Sequence, residues 1–570
     1  MSQPSSPSTG DLLLSLGQAL ARMRVLLVDR HPSARNSLRI MLSSLGISAV
    51  HNAGSTADVM RQVKAHRFDI ILSDYLLDDG RDGQQLLEEL RQKHLISLSA
   101  VFIVITSERA YHNVVSVAEL GPDDYLIKPF TANQLQDRLL RAVHKKQFFA
   151  PVHQQLDNGA FVDALAACEG LLIRDGEFLY DTLRLKGEIL NALGRYDEAQ
   201  AVYQQVLKNR MVPWERMGLA IALHGQEQFA EAEAAGEAII EDFPEYLAAY
   251  DFVADVREAM GKLAAAQTML QQAATISPNN STRQRLVGDV AVRNDDLEAA
   301  EKAYGKVLDR HRGSSLTDID DYANLARVLV DRGQTEGARK ITQELRRDWR
   351  GSKHGELAAL VIDSLCDDRE GDPLKARQAL EKALALQDLL QAEGKLDGVS
   401  PKLTVDLARA CLANGDENRA QDILRKVAAE NHDDRAMIAH IEGAFVRTGR
   451  QDAGQAMLAL VDREIVELNN RGVLAARSGD LDGAVQLLIE AAERVPNVQF
   501  LVNASKAIFT LLERSGWDEA LAERGLRYLQ QAQAKDLRNA KVISARELYQ
   551  RTARKYGIAI APLGGVPANA

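Results

Sequence analysis

Five short apolar runs in the first quarter of the chain alternate with stretches whose apolar residues recur at helical spacing. Continuous apolar strands that alternate with helices are typical of a parallel sheet covered by helices on both faces. The pattern therefore predicts an α/β domain over residues 23–145, preceded by a short extension at residues 1–22 that is expected to be disordered, because it starts with a Ser- and Pro-rich stretch. The five predicted strands are Arg24–Asp29, Ile47–His51, Asp69–Ser73, Ala100–Ile105 and Asp124–Ile127.

A different pattern begins near residue 146, where Ala- and Leu-rich helical stretches are interrupted by glycine. A Gly followed five residues later by Ala recurs along this half, and Glu227 and Asp295 occupy the Gly position in two segments. The step between successive alanines is 33 or 34 residues from Ala199 to Ala300 and lengthens afterwards, a period that resembles the tetratricopeptide repeat (TPR). The Gly/Ala pairs are Gly159/Ala164, Gly194/Ala199, Gly261/Ala266, Gly333/Ala338, Gly371/Ala376, Gly415/Ala420 and Gly479/Ala484.

The TPR resemblance implies an all-α superhelical solenoid built from helix–turn–helix units. About ten units fit residues 146–498, with degenerate units in the middle, and residues 499–570 are expected to form a helical cap and a flexible tail. Gly accepts the positive φ of a helix end, and Ala lets two helices approach closely. Pro244, Pro278 and Pro496 are expected to end the second helices of their units.

Composition and charge limit the classes of partner. The 570 residues are 46% apolar and 26% charged, with a net charge of −11. Nucleic acid is not expected as a partner because phosphate binding needs a basic surface. A membrane is not expected because no apolar run approaches the ~20 residues of a spanning helix. Three widely separated cysteines, Cys168, Cys366 and Cys411, suggest neither a disulfide framework nor a zinc site, which favours a cytoplasmic location. The oligomeric state is left open.

Polar residues stand where four of the predicted strands end. Asp29 follows the first strand, Asp74 the third, Thr106 the fourth and Lys128 the fifth. The carboxyl ends of parallel strands form one edge of the sheet, where ligands bind in such folds. A carboxylate can accept a phosphoryl group when a metal ion and a lysine neutralise the incoming charge, and a hydroxyl can bind a phosphoryl oxygen.

Residues 24–145 thus resemble the receiver domain of two-component response regulators. The resemblance implies a CheY-like, flavodoxin-like fold with strand order 2-1-3-4-5 and a cis peptide bond between Lys128 and Pro129. It implies that Asp74 is the phospho-acceptor, and that Thr106, Tyr125 and Lys128 are the switch and phosphate-contacting residues. Mg²⁺ would be held by Asp29, Asp74 and the backbone carbonyl of Leu76. A histidine kinase or phosphotransfer protein is the expected phosphodonor.

Arg30 departs from the family pattern, which has a second acid after the first strand. Replacing that acid with a guanidinium is expected to weaken the Mg²⁺ site, because Mg²⁺ prefers hard oxygen ligands. Two arrangements remain open from the sequence. Arg30 either turns out to solvent, or turns inward and pairs with Asp74 in the bidentate geometry that suits arginine.

The helical half carries no Walker, HExxH or basic recognition-helix motif, so its expected output is protein binding and not catalysis. The first helix of each TPR unit would line a groove for a protein or peptide. The sequence thus predicts a response regulator in which the receiver controls a TPR binding module. The alternative is a constitutive scaffold in which Arg30 has made the receiver insensitive to phosphorylation. The candidate groove residues are Arg184, Asn191, Trp214, Met217, His224 and Arg285, with Asp289 and Arg409 further along the chain.

Overall fold

The computed structural model describes residues 9–77, 82–93, 95–107, 122–174, 178–208, 212–312, 317–432, 434–535 and 539–558. Its five-stranded sheet is wholly parallel and has the order β2-β1-β3-β4-β5, which confirms the predicted topology. The strands are β1 Val25–Val28, β2 Val50–Ala53, β3 Ile70–Asp74, β4 Val101–Thr106 and β5 Asp124–Ile127.

Alternate strand residues pack against helices on the two faces of the sheet, as the two-residue period of a strand requires. Val25 and Leu27 belong to one apolar cluster, which also contains side chains of the helices on that face. Leu26 and Val28 belong to a second cluster on the opposite face. The helices of this α/β domain are α1 Thr9–Arg22, α2 Pro32–Ser44, α3 Thr56–Ala65, α4 Gly83–Gln92 and α5 Ala132–Asp157.

Strand β2 starts three residues later, and ends two residues later, than the sequence pattern predicted. Gly46 has a φ of 82°, and the backbone N–H of Ile47 donates to the carbonyl of Leu42 at 3.0 Å. These contacts make Ile47 part of the turn that ends α2, and its side chain is buried in the core. The prediction of a strand at Ile47–His51 was therefore wrong at its start, because an apolar residue was needed for the turn and not for the sheet.

A helix, α1, occupies most of the extension that was predicted to be disordered. Leu16 and Leu20 are one helical turn apart, are almost fully buried and belong to the same apolar cluster as Leu139 of α5. Their burial favours the helix over a disordered chain. The Ser- and Pro-rich composition that suggested disorder is confined to residues 1–8, which lie outside the described residues.

The rest of the described chain is helical. The described chain as a whole falls into two compact units. The first, which contains the sheet, lies within residues 1–191, 195–260 and 271–280, and the second lies within residues 192–194, 261–270 and 281–570. Across the part of the chain that is described, no helix is long and apolar enough to cross a bilayer. The helices are α6 Phe161–Arg174, α7 Leu179–Ala192, α8 Tyr196–Leu207, α9 Pro213–Gly225, α10 Phe229–Asp242, α11 Leu247–Ala259, α12 Leu263–Ile276, α13 Ser281–Arg293, α14 Leu297–His311, α15 Ile319–Asp331, α16 Thr335–Asp348, α17 Lys353–Arg369, α18 Pro373–Ala392, α19 Pro401–Ala413, α20 Glu417–Glu430, α21 Arg435–Arg447, α22 Gln451–Arg477, α23 Leu481–Arg494, α24 Val498–Ser515, α25 Glu519–Lys535 and α26 Ala540–Lys555, with a short 3₁₀ turn at Leu396–Gly398.

The predicted register of the repeats is confirmed at their turns. Every glycine of the seven Gly/Ala pairs has a positive φ, between 63° and 88°. Glu227 and Asp295, which stand in the Gly position of two segments, are the two described non-glycine residues with positive φ, at 61° and 58°. The paired alanines are at most 1% exposed, since each lies where two helices meet.

One pair of predicted units is joined without a turn. Helix α22 runs unbroken over Gln451–Arg477, 27 residues, and reaches the turn at Gly479 without an earlier break. The stretch from Gln455 to Asn470 contains neither Gly nor Pro, so nothing in the local sequence ends the helix.

Candidate functional site

Three of the predicted site residues meet at the carboxyl edge of the sheet. The Lys128 ammonium contacts Asp74 Oδ1 at 2.8 Å and Asp29 Oδ2 at 3.2 Å. Each residue stands at the end of a strand: Asp29 directly follows β1, Asp74 closes β3 and Lys128 directly follows β5. Two carboxylates and one ammonium therefore share one pocket, which leaves a net charge of −1 available to a further cation.

Burial shapes the electrostatics of this pocket. The Asp29 side chain is 1% exposed, that of Asp74 12% and that of Lys128 32%. Burial raises the pKa of Asp74, and the nearby Asp29 charge adds to this effect, although Lys128 opposes it. Burial alone would lower the pKa of Lys128, but its hydrogen bonds and charge interactions with Asp74 and Asp29 outweigh burial and raise it. The lysine thus stays charged between the two acids.

The other predicted residues line the same edge. Thr106 is buried at the end of β4, and its carbonyl accepts the backbone N–H of Lys128 at 2.7 Å. Tyr125 lies on β5 and packs against the apolar cluster of α3 and α4. Leu76 follows β3, has a largely exposed side chain and forms an isolated bridge with Asp82. The peptide bond between Lys128 and Pro129 is cis, as the resemblance implied.

Two residues at this site were not identified from the sequence. The Arg35 guanidinium on α2 donates to the backbone carbonyl of Asp29 and so holds the end of β1. Gly83 begins α4, and a Cβ atom there would lie 2.7 Å from the carbonyl oxygen of Asp74. The position of Arg35 in the helix after β1 could have suggested its role. No local signal marks Gly83, because its closeness to Asp74 arises from tertiary packing.

Arg30 takes the first of the two arrangements that the sequence left open. Its side chain is exposed, and its Nε donates to Nε2 of His31 at 3.0 Å. The cation that contacts Asp74 is Lys128 instead. Arg30 therefore does not neutralise the pocket by direct pairing, although the acid that the family carries at its position is still missing.

The donor set of the pocket suits a hard divalent cation. Asp29 offers buried carboxylate oxygens and Asp74 partly buried ones, and the carbonyl of Leu76 stands two residues after Asp74 in the chain. Among the described residues, no group of three His, Cys, Asp or Glu side chains could hold a metal ion. A Mg²⁺ ion would thus depend on two carboxylates, a carbonyl and water, which predicts weak binding.

Helix α5 links this domain to the helical half without interruption. It begins with a capping box between Thr131 and Gln134 and continues to Asp157 through Pro151. In its first part, Leu139 is buried in the apolar core of the sheet domain. In its last part, Val152 is buried outside that core. Helix α5 therefore leads directly from the α/β domain into the helical half.

A set of polar contacts holds the end of α5 against the sheet domain. Asp157 accepts from the Ser97 hydroxyl at 2.6 Å and from the Leu98 backbone N–H at 3.2 Å. Lys146 donates to the Leu98 carbonyl at 2.6 Å and pairs with Asp123 at 2.9 Å. We call these five residues the α5 clasp. It fixes α5 to the loop before β4 and to the start of β5.

We expect His153, which lies on α5 inside the clasp, to make this unit less stable in mild acid. Burial, with the nearby Lys146 charge, lowers the pKa of His153 to about 4. Above the unfolded pKa of ~6.5 both states are neutral, but between ~6.5 and about 4 only the unfolded chain binds the proton. Stability should therefore fall by at most about 1.4 kcal/mol per pH unit as the pH drops through this window.

Thermal unfolding at pH 7 and pH 5 tests this expectation. The drop in Tm between the two pH values should be smaller in His153→Gln than in the wild type. His66→Gln is the matched control for replacing a histidine in the same unit, because the His66 ring is exposed. An equal drop in the wild type and in His153→Gln would contradict the assignment.

Arg184 and Trp214 are brought together in the first unit. The Arg184 guanidinium lies 5.7 Å from the centroid of the Trp214 ring, and its Nε bonds Glu188 at 2.7 Å. Trp214 is half-buried and makes an edge contact with Tyr203. The side-chain amide of Asn191 donates to the carbonyl of Gly218 at 3.0 Å, so it links α7 to α9. Arg184 and Trp214 thus form an accessible cation–aromatic pair, while Asn191 has a role between helices.

The remaining groove candidates are placed less favourably for a partner. Met217 is 9% exposed and packs in the core. His224 is half-buried between Phe229 and Phe252. Arg285 belongs to the second unit, where both arms of its guanidinium bond Asp321 at 2.8 and 2.9 Å. That these three residues contact a partner remains a prediction. The burial of Met217 and the ion pair of Arg285 leave those two side chains less available for such a contact.

In the second unit, charged residues on the first helices of different repeats bond to one another. Lys402 of α19 bonds Asp289 of α13 at 2.7 Å. Asp331 of α15 pairs with Arg409 of α19 at 2.5 Å and with Arg447 of α21 at 2.8 Å. Asp289 and Arg409 were expected to face a partner, but the structure engages both of them in these internal ion pairs.

The most buried of these pairs joins Arg327 of α15 to Asp406 of α19. Arg327 Nε lies 2.7 and 2.8 Å from the two oxygens of Asp406, and its Nη1 donates to Asn324 at 2.8 Å. Both charged residues are less than 5% exposed. Burial alone would lower the pKa of Arg327, but the charge and hydrogen bonds of Asp406 outweigh burial and raise it. This ion pair joins α15 to α19 through two residues that are 79 positions apart in the chain.

Two family models match parts of the chain. The model described as response regulator receiver domain matches residues 25–140, and the model described as tetratricopeptide repeat matches residues 181–210. A curated relative is the transcriptional regulatory protein CpxR of Escherichia coli strain K12. It is 28% identical over 213 residues, which cover 35% of this chain and 85% of CpxR.

Solved structures of receiver domains are also similar to the first part of the chain. One is a CheY-like response regulator receiver domain protein from Methanospirillum hungatei, 22% identical, which covers 22% of this chain and 96% of its own, with a TM-score of 0.20. Another is a two-component response regulator from Clostridium difficile, also 22% identical, which covers 22% of this chain and 98% of its own, with a TM-score of 0.20.

The sheet order and the two matching family models lead to one conclusion about the domains of this chain. It carries a response regulator receiver domain of a two-component system over residues 25–140 and a tetratricopeptide repeat, a protein-interaction module, over residues 181–210.

Proposed function

We propose that the chain is a response regulator in which phosphorylation of Asp74 controls protein binding by the helical half. The observation that carries this proposal is the unbroken helix α5, held by the α5 clasp, which connects the receiver directly to the first helices of the TPR region. No separate catalytic output is needed, because the change in the receiver would alter how a binding surface is presented.

The chemistry at Asp74 follows from the pocket. A carboxylate oxygen of Asp74 attacks the phosphorus of a phosphohistidine on a histidine kinase or phosphotransfer protein. The P–O bond of an acyl phosphate forms, the P–N bond breaks, and the histidine leaves with a proton. Lys128, now 2.8 Å from Asp74, would bind the phosphoryl oxygens, and Thr106 at the end of β4 would donate a hydrogen bond to them.

Asp29, Asp74 and the Leu76 carbonyl would hold Mg²⁺ during this step. When bound, the ion would neutralise negative charge on the transferring phosphoryl group. In the structure Lys128 bridges the two carboxylates, so it would have to release Asp29 when the ion binds. This exchange, together with the acid missing at residue 30, is a physical reason to expect slow phosphorylation that requires high Mg²⁺.

Phosphorylation would reach the helical half through α5. The phosphoryl group would draw Lys128 and Thr106 towards it, which changes the contacts of β4 and β5. The clasp residues Ser97 and Asp123 stand just before these two strands, so a shift in either strand also acts on Lys146 and Asp157 of α5. Coupling energies of this kind are typically about 1–3 kcal/mol.

A Gly/Ser spacer inserted after Phe149 should uncouple the two halves. In the wild type, a small phosphodonor with Mg²⁺ should change amide hydrogen exchange in both the receiver and helices α6 to α9. With the spacer, the receiver should still be phosphorylated and should still change, but α6 to α9 should not. A protein captured by the wild type should change its affinity about fivefold or more on phosphorylation, and this dependence should also be lost.

The same spacer inserted after Gly351 serves as the control. Gly351 lies in the loop between α16 and α17 of the second unit, so this insertion leaves α5 intact. It should not affect transmission from the receiver to α6–α9. If α6–α9 respond to phosphorylation equally with and without the spacer after Phe149, α5 does not carry the signal.

A constitutive scaffold is the second candidate function. It is favoured by the Lys128 bridge, which already neutralises part of the charge of Asp29 and Asp74 without phosphate or metal. In that case the receiver would be a fixed docking domain, and binding by the helical half would not depend on Asp74. The absence of any phosphoryl group on the intact protein after treatment with a phosphodonor and high Mg²⁺ would favour this function.

A further inference from the structure

The C-terminal segment of the chain, residues 498–570, has a net charge opposite in sign to that of the whole chain. Residues 498–570 contain eleven Lys and Arg against six Asp and Glu, a net charge of +5, whereas the whole chain carries −11. The first 497 residues therefore carry a net charge of −16. The segment is therefore basic within an otherwise acidic chain, and most of its net positive charge belongs to α26.

A row of polar side chains runs along one face of α24. Gln499, Asn503 and Lys506 are spaced four and three residues apart, which places them on the same side of the helix. All three are half-buried, while the intervening Phe500, Leu501 and Val502 are buried in the core. The row is therefore the part of α24 that a partner could reach.

Helix α26 borders this row along its length. Near the start of both helices, the Lys541 ammonium donates to Gln499 Oε1 at 2.6 Å, and the Gln499 amide donates to Asn503 at 2.9 Å. Near their ends, Arg551 bonds Glu513 at 2.9 Å. The two helices thus run side by side in the same direction and present Lys506 and Lys541 from a common surface, which we call the α24/α26 face.

Lys506 lacks a counter-ion on this face. Within the described residues it forms no ion pair, whereas Arg551 on α26 pairs with Glu513 on α24. Burial lowers the pKa of Lys506, and the nearby charge of Lys541 lowers it further. Glu547 is the acid that acts in the opposite direction. Lys506 is half-buried beside the like charge of the exposed Lys541, so an added anion would stabilise the charged form of Lys506.

We propose that the α24/α26 face binds an acidic peptide segment of a partner protein, with Lys506 and Lys541 contacting its carboxylates. The proposal rests on the proposed protein-binding role of the helical half, but it does not depend on phosphorylation of Asp74. Charge complementarity identifies the partner as an anion, and the Gln499–Asn503 amides next to the lysines can bond the backbone or carboxylates of a peptide.

Two features favour a peptide over a nucleic acid. Glu513 and Glu547 lie on the same two helices, and their carboxylates would repel a continuous line of phosphates. The chain as a whole is also strongly acidic, which disfavours the long-range attraction of a polyanion. A peptide with a few carboxylates can place them on the lysines and avoid the glutamates.

The test uses the full chain and a fluorescein-labelled peptide of alternating Glu and Ala, followed by fluorescence anisotropy without any phosphodonor. The wild type should bind, and affinity should fall as salt is raised. Lys506→Glu and Lys541→Glu should each weaken binding about tenfold or more, because each replaces an attraction with a repulsion. The same peptide with Gln in place of Glu should not bind.

Lys382→Glu is the matched control, because Lys382 is an exposed lysine on α18 of the same unit. It should leave peptide affinity unchanged. Lys541 is exposed, so its replacement does not endanger the fold, and Lys506→Ala serves as a milder second variant. Unchanged affinity in both Glu variants, an equal loss in Lys382→Glu, or tighter binding of a single-stranded oligonucleotide than of the peptide would each overturn the proposal.

Asp74→Asn is measured in parallel so that the two proposals fail separately. If this variant binds the peptide normally and phosphorylation of the wild type changes nothing in the helical half, the proposed control by the receiver fails and the α24/α26 face stands. If phosphorylation acts on the helical half but the lysine variants bind the peptide normally, the α24/α26 face fails as the binding site and the proposed control by the receiver stands.

Discussion

Arg327→Ala should lower the free energy of unfolding of the second unit by about 3–5 kcal/mol. The replacement leaves the Asp406 carboxylate, which is 1% exposed, without the guanidinium that bonds both of its oxygens. It also leaves the Asn324 side-chain oxygen without its bond from Arg327. A buried charge without its partner costs the full loss of hydration. Denaturant unfolding followed by a probe in the second unit gives the magnitude.

Two further variants separate charge burial from loss of packing. In the Arg327→Met/Asp406→Leu double variant both charges are absent, so most of the lost stability should return. Arg377→Ala breaks the Arg377–Glu381 pair, whose side chains are 76% and 65% exposed, and it should cost less than about 1 kcal/mol. If Arg327→Ala costs no more than Arg377→Ala, the Arg327–Asp406 pair does not organise this unit.

Treatment of the purified chain with a small phosphodonor should add one phosphoryl group, labile to both acid and base, and Asp74→Asn should abolish it. The Asp74 carboxylate is the nucleophile, and an amide cannot replace it. The reaction should be slow and should need high Mg²⁺, since Asp29 is the one acid retained after β1. Intact-mass measurement across a Mg²⁺ series gives both the extent and the metal requirement.

Arg30→Asp is the informative companion to this experiment. The Arg30 side chain faces outward, so its replacement should not disturb the Lys128 bridge, and it would add the missing oxygen ligand. The Mg²⁺ concentration that gives half-maximal phosphorylation should fall. His31→Gln removes the side chain that Arg30 contacts and should leave the requirement unchanged. A modified mass that persists in Asp74→Asn would show that another residue is phosphorylated.

Local sequence patterns were sufficient for the parts of the structure that depend on neighbouring residues. The five apolar runs identified the strands, because a buried strand needs continuous apolar residues. The error at β2 arose where Ile47 served a turn, which has no apolar signature of its own. The Gly/Ala spacing placed the repeat turns correctly even at Glu227 and Asp295, because the register of the flanking helices fixed these positions.

The candidate phosphorylation site was also predictable, because each residue stands at a strand end. Once the strand order is known, residues as distant as Asp29 and Lys128 must share one edge of the sheet. The resemblance to receiver domains supplied their roles, and the structure places Asp29, Asp74 and Lys128 within bonding distance. The role of each residue in phosphorylation remains a prediction for the mass measurements above.

The sequence by itself determined the order of strands and helices, the repeat register and the composition of the pocket at the sheet edge, since these follow from apolar periodicity and from the residues at element ends. Only the tertiary structure decided where Arg30 points, that α1 packs on the core and that Asp289 and Arg409 bond other helices. The physical reason is that a charged side chain has several partners of similar energy within reach. The choice among these partners depends on helices that are far apart in the chain, such as the two joined by Arg327 and Asp406. A local sequence pattern cannot show which distant helices will meet.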